Sequence, residues 1–182
     1  ATITTEGTNA LQFTNAGATT RSAHCTGWDG GSGSKWWEIE VNTQGYFLLA
    51  VSSKQRSSGT GPRDFVLEYR VGIAGAWTPV PAAPAIVALN NWTSGILFNV
   101  DLPPACADQP SLFLRWIMTS DVAVNGGTVG SGGVSNMDDL FILAFSTDHF
   151  QTIGSGDWSD PLIWESSPTG AAPWTFTGSS PS

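Results

Sequence analysis

The sequence predicts an all-β protein, specifically an antiparallel β-sandwich. Three observations support this fold class. Apolar and polar residues alternate with a period of two in several short segments, as they do in strands with one buried face. Glycine and proline occupy 21 and 11 of the 182 positions, and many of them fall between these segments. No amphipathic pattern of helical period continues over a stretch long enough to predict a helix.

Eight segments carry the strand pattern, at residues 11–14, 35–42, 47–55, 65–71, 76–79, 95–101, 111–119 and 136–145. The second alternates between an apolar face and a face that carries Trp36, Glu38 and Glu40, and the fourth alternates in the same way. A glycine-containing stretch at 71–77 predicts a hairpin connection. The segment 111–119 is apolar on nearly both sides, which predicts a central strand.

The charge balance excludes several classes of partner. Seven lysines and arginines face 15 aspartates and glutamates, giving a formal net charge of -8. Nucleic-acid affinity depends largely on neutralising phosphates with basic side chains, so we expect no nucleic-acid partner. The same balance disfavours anionic lipid surfaces, and no apolar run is long enough to insert into a membrane.

Catalytic motifs are missing from the sequence. His24 and His149 are the two histidines, and neither stands in a metalloprotease, thiol-redox or nucleophile-elbow motif. Glu38 and Glu40 would lie ~6.5–7 Å apart on one strand face, near the carboxylate spacing of glycoside hydrolysis. Carboxylates two residues apart on a strand are more simply a solvated face, so we do not expect an enzyme.

Nine tryptophans are more than a core of this size requires. Indoles that have no core to enter can stack on the flat faces of sugar rings, with polar neighbours holding the hydroxyls. Trp28 lies in a glycine-rich loop and Trp92 in a polar one, and Trp36 shares a face with two glutamates. These three are the predicted ligand platforms, and Asp29 and Asn91 are the predicted hydrogen-bonding neighbours. The alternative is that these indoles cap the ends of the sandwich.

Two longer motifs carry a family resemblance. The first is QRSSGTGPRDF at 55–65, a tight turn between two predicted strands. The second is GGTVGSGGVSNMDDLFIL at 126–143, a Gly/Ser connection into a final strand that opens with adjacent carboxylates. Together they resemble the jelly-roll β-sandwich modules, similar to carbohydrate-binding modules, of large secreted Bacteroidetes proteins. The resemblance implies a jelly-roll topology, an extracellular or cell-surface location, and other modules within the same larger polypeptide.

The resemblance also implies a structural calcium ion. Jelly-roll carbohydrate-binding modules commonly hold Ca²⁺ between the first and last strands with acidic side chains, and hard oxygen ligands suit that ion. Here Asp139 or Asp138 would come from the last strand and Glu6 from the first. The alternative is that the two aspartates simply shape the start of the strand.

Cys25 and Cys106 are the two cysteines. In an oxidising compartment they would most simply form one disulfide, closing a loop of ~80 residues and contributing ~4 kcal/mol. Two buried free thiols are the alternative, since sequence gives no distance between them.

The composition changes after residue 146. We therefore expect a jelly-roll domain at 1–146 and, at 147–182, a linker with the start of a following module or a C-terminal arm. Such an arm would pack Trp158, Trp164 and Trp174 on the sandwich.

The sequence supports two alternative functions. The first is a non-catalytic carbohydrate-binding module that binds a neutral polysaccharide by aromatic stacking. The second is a structural repeat of a cell-surface adhesin or extracellular filament, whose aromatic surfaces contact neighbouring modules.

Overall fold

The computed structural model describes residues 2–145 with side chains, and residue 146 and three short strands beyond it by backbone alone. In chain order the strands are β1 (Thr2–Glu6), β2 (Gln12–Ala16), β3 (Arg21–Cys25), β4 (Trp36–Val41), β5 (Tyr46–Ser57), β6 (Asp64–Val71), β7 (Thr78–Pro79), β8 (Ile86–Val87), β9 (Gly95–Asp101), β10 (Leu112–Met118), β11 (Ser135–Ser146), β12 (His149–Thr152), β13 (Trp164–Ser167) and β14 (Thr175–Phe176). Within this part of the chain the one helical element is a 3-10 turn at Pro104–Cys106, and no helix is long and apolar enough to cross a membrane.

Two antiparallel sheets form the sandwich, and the predicted fold class is confirmed. The six-stranded sheet has the order β1-β4-β10-β6-β7, with β8 also paired to β6. The five-stranded sheet has the order β2-β3-β11-β5-β9. Apart from the β2–β3 and β6–β7 pairs and the β6–β8 pair, neighbours within each sheet are distant in sequence, because the chain crosses repeatedly from one sheet to the other, as the jelly-roll prediction requires.

The core lies between the sheets and is built around indole rings. Trp28, Trp37 and Trp116 are fully buried, and Trp28 packs 5.6 Å from Trp37 and 5.7 Å from Phe65 between ring centroids. The indole nitrogen of Trp116 donates to the Ser53 hydroxyl on the opposite sheet, 3.1 Å away. Each buried indole therefore keeps a hydrogen bond while it fills the space between sheets.

Strand β10 is central, as its apolar pattern predicts. It pairs with β4 on one side and β6 on the other, and six of its seven residues are buried. The exception is Arg115, whose guanidinium lies between the rings of Trp36 and Trp77 at 4.7 and 4.2 Å. Arg115 also contacts Glu68 at 2.6 Å, so a paired charge interrupts the apolar strand on its outer face.

The disulfide prediction is wrong. Cys25 and Cys106 are both free and buried. Cys25 is paired with Ser135 of β11, and Ser135 is paired on its other side with Ser57 at the end of β5. Cys106 lies two residues before Asp108, whose backbone N–H donates to the carbonyl of Tyr46 at the start of β5. Eleven residue steps at about 3.3 Å separate these ends of β5, far more than the span of a disulfide.

The three strands after residue 146 form a separate antiparallel sheet, in which β12 pairs with β13 and β13 with β14. The division at residue 146 stays a prediction. The predicted docking of Trp158, Trp164 and Trp174 concerns side chains outside the described residues.

Candidate functional site

The outer face of the five-stranded sheet is the candidate site. Along β5 the buried residues Val51, Ser53 and Gln55 alternate with Ser52, Lys54 and Arg56, which therefore point outward. The strand register extends this face onto the neighbouring strands. It places Ile96 of β9 beside Lys54, and on β11 it places Asn136 opposite Arg56 and Phe141 opposite Ser52.

One end of this face is an apolar strip, which we define as Ile96, Phe98, Phe141, Leu143 and Phe145. Phe98 and Phe141 are 77% and 64% exposed, which is unusual for large apolar side chains on a regular sheet. The first four residues line a groove of about 500 Å³ that also includes Ser52, Asn99 and the Lys54–Asp139 pair. The strip therefore offers flat rings beside a few polar groups.

Three residues with left-handed backbone shape this groove. Asp139 and Asn99 have φ of 46°, Leu48 has φ of 54°, and each lies where the register between neighbouring strands shifts. At each shift, one strand has one more residue than its partner between two paired positions. Such an extra residue is a β-bulge, which bends the strand and turns a side chain out of the regular alternation. Asn and Asp tolerate the left-handed region better than most residues, whereas a branched side chain such as Leu48 does not.

Hydrogen bonds hold two of the bulges. The Asn99 backbone N–H donates to the Ser52 hydroxyl at 2.8 Å, and that hydroxyl lies 3.1 Å from the Asn99 side-chain oxygen. Asp139 accepts from the Thr19 hydroxyl at 2.7 Å and pairs with the Lys54 ammonium at 2.9 Å. Lys54, and secondarily Thr19, lower the pKa of the Asp139 carboxyl. The groove is therefore preformed.

The other end of the face is polar. Gln12, His24, Asn136 and Arg56 form a row across β2, β3, β11 and β5. The Asn136 side-chain oxygen accepts from Asn15 of β2 at 3.0 Å and from Ser22 of β3 at 3.2 Å. The guanidinium of Arg56 donates twice to Asn90, and its central carbon lies 6.0 Å from the ring of Trp92.

The three predicted platform tryptophans are not brought together. Trp28 is fully buried and its indole nitrogen donates to the Cys25 carbonyl, so the prediction that it stacks on a ligand is wrong. The glycine-rich loop folds over the end of the sandwich and inserts the ring into the core. Trp36 lies on the outer face of the other sheet, where Arg115 covers it and Glu38 accepts its N–H at 2.9 Å. Trp92 is half-buried beside the polar row.

The two predicted polar neighbours are exposed. Asp29 stays in the loop of Trp28, where its backbone carbonyl accepts from Lys35 at 2.6 Å. Asn91 folds its side chain back onto the N–H and hydroxyl of Thr93, an arrangement typical of a turn. Of the predicted ligand-binding set, Trp92 and Asn91 lie nearest to the candidate face.

The predicted calcium ligands do not converge. Asp138 accepts from the backbone N–H groups of Ala18 and Thr19 at 2.6 and 3.2 Å. Asp139 is held by Lys54, and Glu6 lies on β1 of the other sheet, paired with Trp36. Among the residues that the structure describes, no three acidic, histidine or cysteine side chains form a possible metal cluster.

These contacts do not fit a calcium site formed by Asp138 or Asp139 together with Glu6. Calcium binding stays a prediction, and chelation can test it. If Ca²⁺ binds the folded protein, replacing excess chelator with excess Ca²⁺ raises the melting temperature, and Asp138→Asn together with Asp139→Asn abolishes the shift. An identical melting temperature in both solutions contradicts the calcium prediction.

Sequence reasoning did not find the apolar strip. In the segment 136–145, the two alternating sets of residues are both largely apolar after Asp139, so periodicity does not show which set faces the core. The bulge at Asn99 interrupts the alternation in β9, so that Phe98 is exposed although Val100, two residues later, is buried. The sequence did contain one signal for the strip. The segments 95–101 and 136–145 have more apolar residues than one face of a strand can bury, so some of them must be exposed.

Similarity to known proteins is found in structure and not in sequence. No protein-family model and no curated protein sequence matches the chain. Among solved structures, the N-terminal cellulose-binding domain of Cellulomonas fimi β-1,4-glucanase C is similar over 79% of this chain and 88% of its own, with a TM-score of 0.51 and 10% identity. The fold is that of a carbohydrate-binding-module-like jelly roll.

Two other structures show weaker similarity. The CBM22-1 xylan-binding domain from Paenibacillus barcinonensis is 14% identical, with a TM-score of 0.45 over 78% of this chain and 81% of its own. The enzymatically active domain of tailspike protein 4 from bacteriophage CBA120 is 9% identical, with a TM-score of 0.44 over 79% of this chain and 19% of its own. At 10% identity, the similarity to the cellulose-binding domain establishes the fold alone.

Proposed function

We propose that this protein is a non-catalytic carbohydrate-binding module of a larger extracellular protein, and that it binds a neutral polysaccharide on the outer face of the five-stranded sheet. The observation that carries the proposal is the apolar strip, with Phe98 and Phe141 exposed beside a preformed groove. A pyranose ring presents an apolar C–H face that stacks on such rings, while its hydroxyls require polar partners at the edge.

The polar groups around the strip suit a neutral ligand. Ser52 and Asn99 supply hydrogen-bonding groups on one side of the groove, and Lys54 is neutralised by Asp139. The net charge of -8 disfavours a polyanion by long-range repulsion. The occupant expected from these features is an uncharged glycan chain.

The carboxylates considered for hydrolysis are engaged elsewhere. Glu38 accepts the indole N–H of Trp36, and Glu40 accepts the hydroxyl of Ser111, both on the outer face of the six-stranded sheet. At the groove itself, Asp139 is paired with Lys54. This arrangement gives the groove no acid and base on opposite sides of a bound glycan, and it supports a binding role.

Affinity electrophoresis in gels that contain cellulose derivatives, xylan or other neutral polysaccharides tests the proposal. The unchanged protein should be retarded by at least one of them. Phe98→Ala combined with Phe141→Ala should abolish the retardation and change the melting temperature little, because both rings are already exposed. Ile73→Ala is a matched control, since Ile73 is 83% exposed in a distant hairpin.

The same apolar strip also favours the second candidate function, a structural repeat of an adhesin or filament. Exposed apolar residues continue beyond the groove through Phe145 to Phe47 and Leu48. Surfaces of this kind also mark protein–protein contacts. Sedimentation velocity separates the two functions, because a repeat module should self-associate through the strip, whereas a sugar-binding module should remain monomeric and respond to glycan.

A further inference from the structure

The groove beside the apolar strip offers a ligand few polar groups. Four of its lining side chains belong to the strip, and the polar ones that reach solvent are Ser52, Lys54, Asn99 and Asp139. A bare pyranose ring carries several hydroxyl groups, each of which both donates and accepts hydrogen bonds. The polar side chains of the groove therefore decide which form of a sugar can enter it.

The oxygen atoms of these polar side chains already accept hydrogen bonds within the protein. The Ser52 hydroxyl accepts the Asn99 backbone N–H and donates to the Asn99 side-chain oxygen. The Asp139 carboxylate accepts the Thr19 hydroxyl on one oxygen and the Lys54 ammonium on the other. The groups left for a ligand are therefore mainly donors, namely the other N–H groups of Lys54 and the amide nitrogen of Asn99.

This surplus of donors does not suit bare hydroxyl groups. A hydroxyl that enters the groove loses water and needs an acceptor for its own proton, and an unmatched donor weakens binding about tenfold. An ester at the same position removes that proton and supplies a carbonyl oxygen, which only accepts. Its acyl group is also apolar, so it gains from contact with the aliphatic side chains of the strip.

The position of Lys54 beside Ile96 matches the shape of a small ester. The two residues are direct cross-strand partners on β5 and β9, with Cβ atoms about 5 Å apart, and both line the groove. Ile96 is 37% exposed, and its aliphatic side chain has no flat face on which a sugar ring could stack. In an acetyl group the carbonyl oxygen and the methyl group share one carbon atom, so Lys54 can donate to the first while Ile96 covers the second.

We propose, resting on the function proposed above, that the groove recognises an O-acetylated neutral glycan and holds an acetyl ester between Lys54 and Ile96. The Lys54 ammonium donates to the ester carbonyl, and Ile96 contacts the methyl group. Acetylation leaves the glycan uncharged, in keeping with a protein of net charge -8. Phe98 and Phe141 then supply affinity for the sugar rings, and the Lys54–Ile96 pair selects the acetylated units.

The test compares one oligosaccharide with and without the ester. Xylohexaose is partly O-acetylated with acetic anhydride, and mild alkali returns a portion of the product to the bare sugar. Isothermal titration calorimetry of the full chain should give an affinity about tenfold higher for the acetylated form. The alkali-treated portion should bind like the starting sugar, which shows that the ester is responsible.

Variants separate recognition of the ester from a general preference for apolar ligands. Lys54→Met keeps an aliphatic stem but removes the donors, so it should lose most of the preference, whereas Lys54→Arg should retain it. Ile96→Ser removes the methyl contact without touching the ammonium and should also reduce the preference. Arg63→Met is a matched control that should keep it, because Arg63 also pairs with an aspartate, at 2.8 Å, is similarly exposed and lies outside the groove.

Thermal melting of each variant shows that the fold is retained before the affinities are compared. Equal affinity of the unchanged protein for both forms of the sugar overturns this proposal but not the proposed function. A preference that both Lys54→Met and Ile96→Ser leave intact has the same consequence. Absence of binding to both forms and to the polysaccharide gels contradicts both proposals.

Discussion

At the scale of single residues, the local sequence around a side chain did not reveal its environment. Trp28 and Trp92 both lie in loops rich in small or polar residues, yet Trp28 is fully buried and Trp92 is half-buried beside Arg56. The difference lies in tertiary packing, because the ring of Trp28 packs against the rings of Trp37 and Phe65. Contacts of this kind join residues distant in sequence, and no local pattern encodes them.

Asp139 gives a prediction at this scale. Its pKa is lowered in the folded protein, so the unfolded chain binds more protons near the ordinary carboxyl value of about 3.9. The stabilisation by Asp139 is therefore present above that pH and is lost as the pH falls through the folded pKa. Asp139→Asn should lower the free energy of unfolding at pH 7 by about 1 kcal/mol or less, since the pair with Lys54 is partly exposed.

Urea denaturation at pH 7 and at pH 2.5 measures this effect. The difference between the unchanged protein and Asp139→Asn should largely disappear at the lower pH. Asparagine tolerates the left-handed backbone at this position, so the substitution changes the charge without adding strain. A difference of equal size at both values would show that the carboxylate charge is not what stabilises the bulge.

At the scale of strands, periodicity located most of the sheet. The predicted segment 95–101 matches β9 at both ends, and the predicted segment 111–119 contains β10 with one extra residue at each end. Strands β1, β3 and β8 were missed because they are short and polar or lie beside proline. The bulges were also not predictable, because each depends on the register between two strands and not on either strand alone. Since the bulges shape the groove, the fold was more predictable than the site.

The bulge at Leu48 gives a prediction at the scale of strands. Leu48 has φ of 54° and is 75% exposed, so its side chain contributes little packing to offset a left-handed backbone. Leu48→Gly should be more stable than Leu48→Ala by about 1 kcal/mol, because glycine alone adopts this conformation without steric cost. Thermal unfolding of the two variants compares them directly. Equal stability would mean that the β5 bulge relaxes to an ordinary strand in solution.

At the scale of the whole molecule, the sandwich is stabilised by its core without a covalent link between Cys25 and Cys106. The buried indoles bridge the sheets, as Trp37 does by donating to Ser135 and Trp116 by donating to Ser53. The two cysteines lie toward opposite ends of β5. Their separation was not predictable, because no local pattern in the sequence shows where the chain crosses between sheets. The extracellular prediction consequently has no support from a disulfide.

The thiols give a prediction at this scale. Burial raises the pKa of Cys106 to about 12 and also raises the pKa of Cys25, so little thiolate is present at pH 8. Iodoacetamide should therefore label neither cysteine in the folded protein at that pH. In denaturant without any reducing agent it should label both, as mass spectrometry can show. Unlabelled cysteines after denaturation would instead establish a disulfide and a different chain path.

Glycan should bind the outer face of the five-stranded sheet and no other surface. Backbone amide chemical-shift mapping of the ¹⁵N-labelled full chain, during titration with cellohexaose and with xylohexaose, locates the bound sugar. Saturable shifts should cluster on β5, β9 and β11, around Ser52, Phe98 and Phe141. Shifts confined to the opposite sheet around Trp36 and Arg115, or no shifts with either sugar, would contradict it.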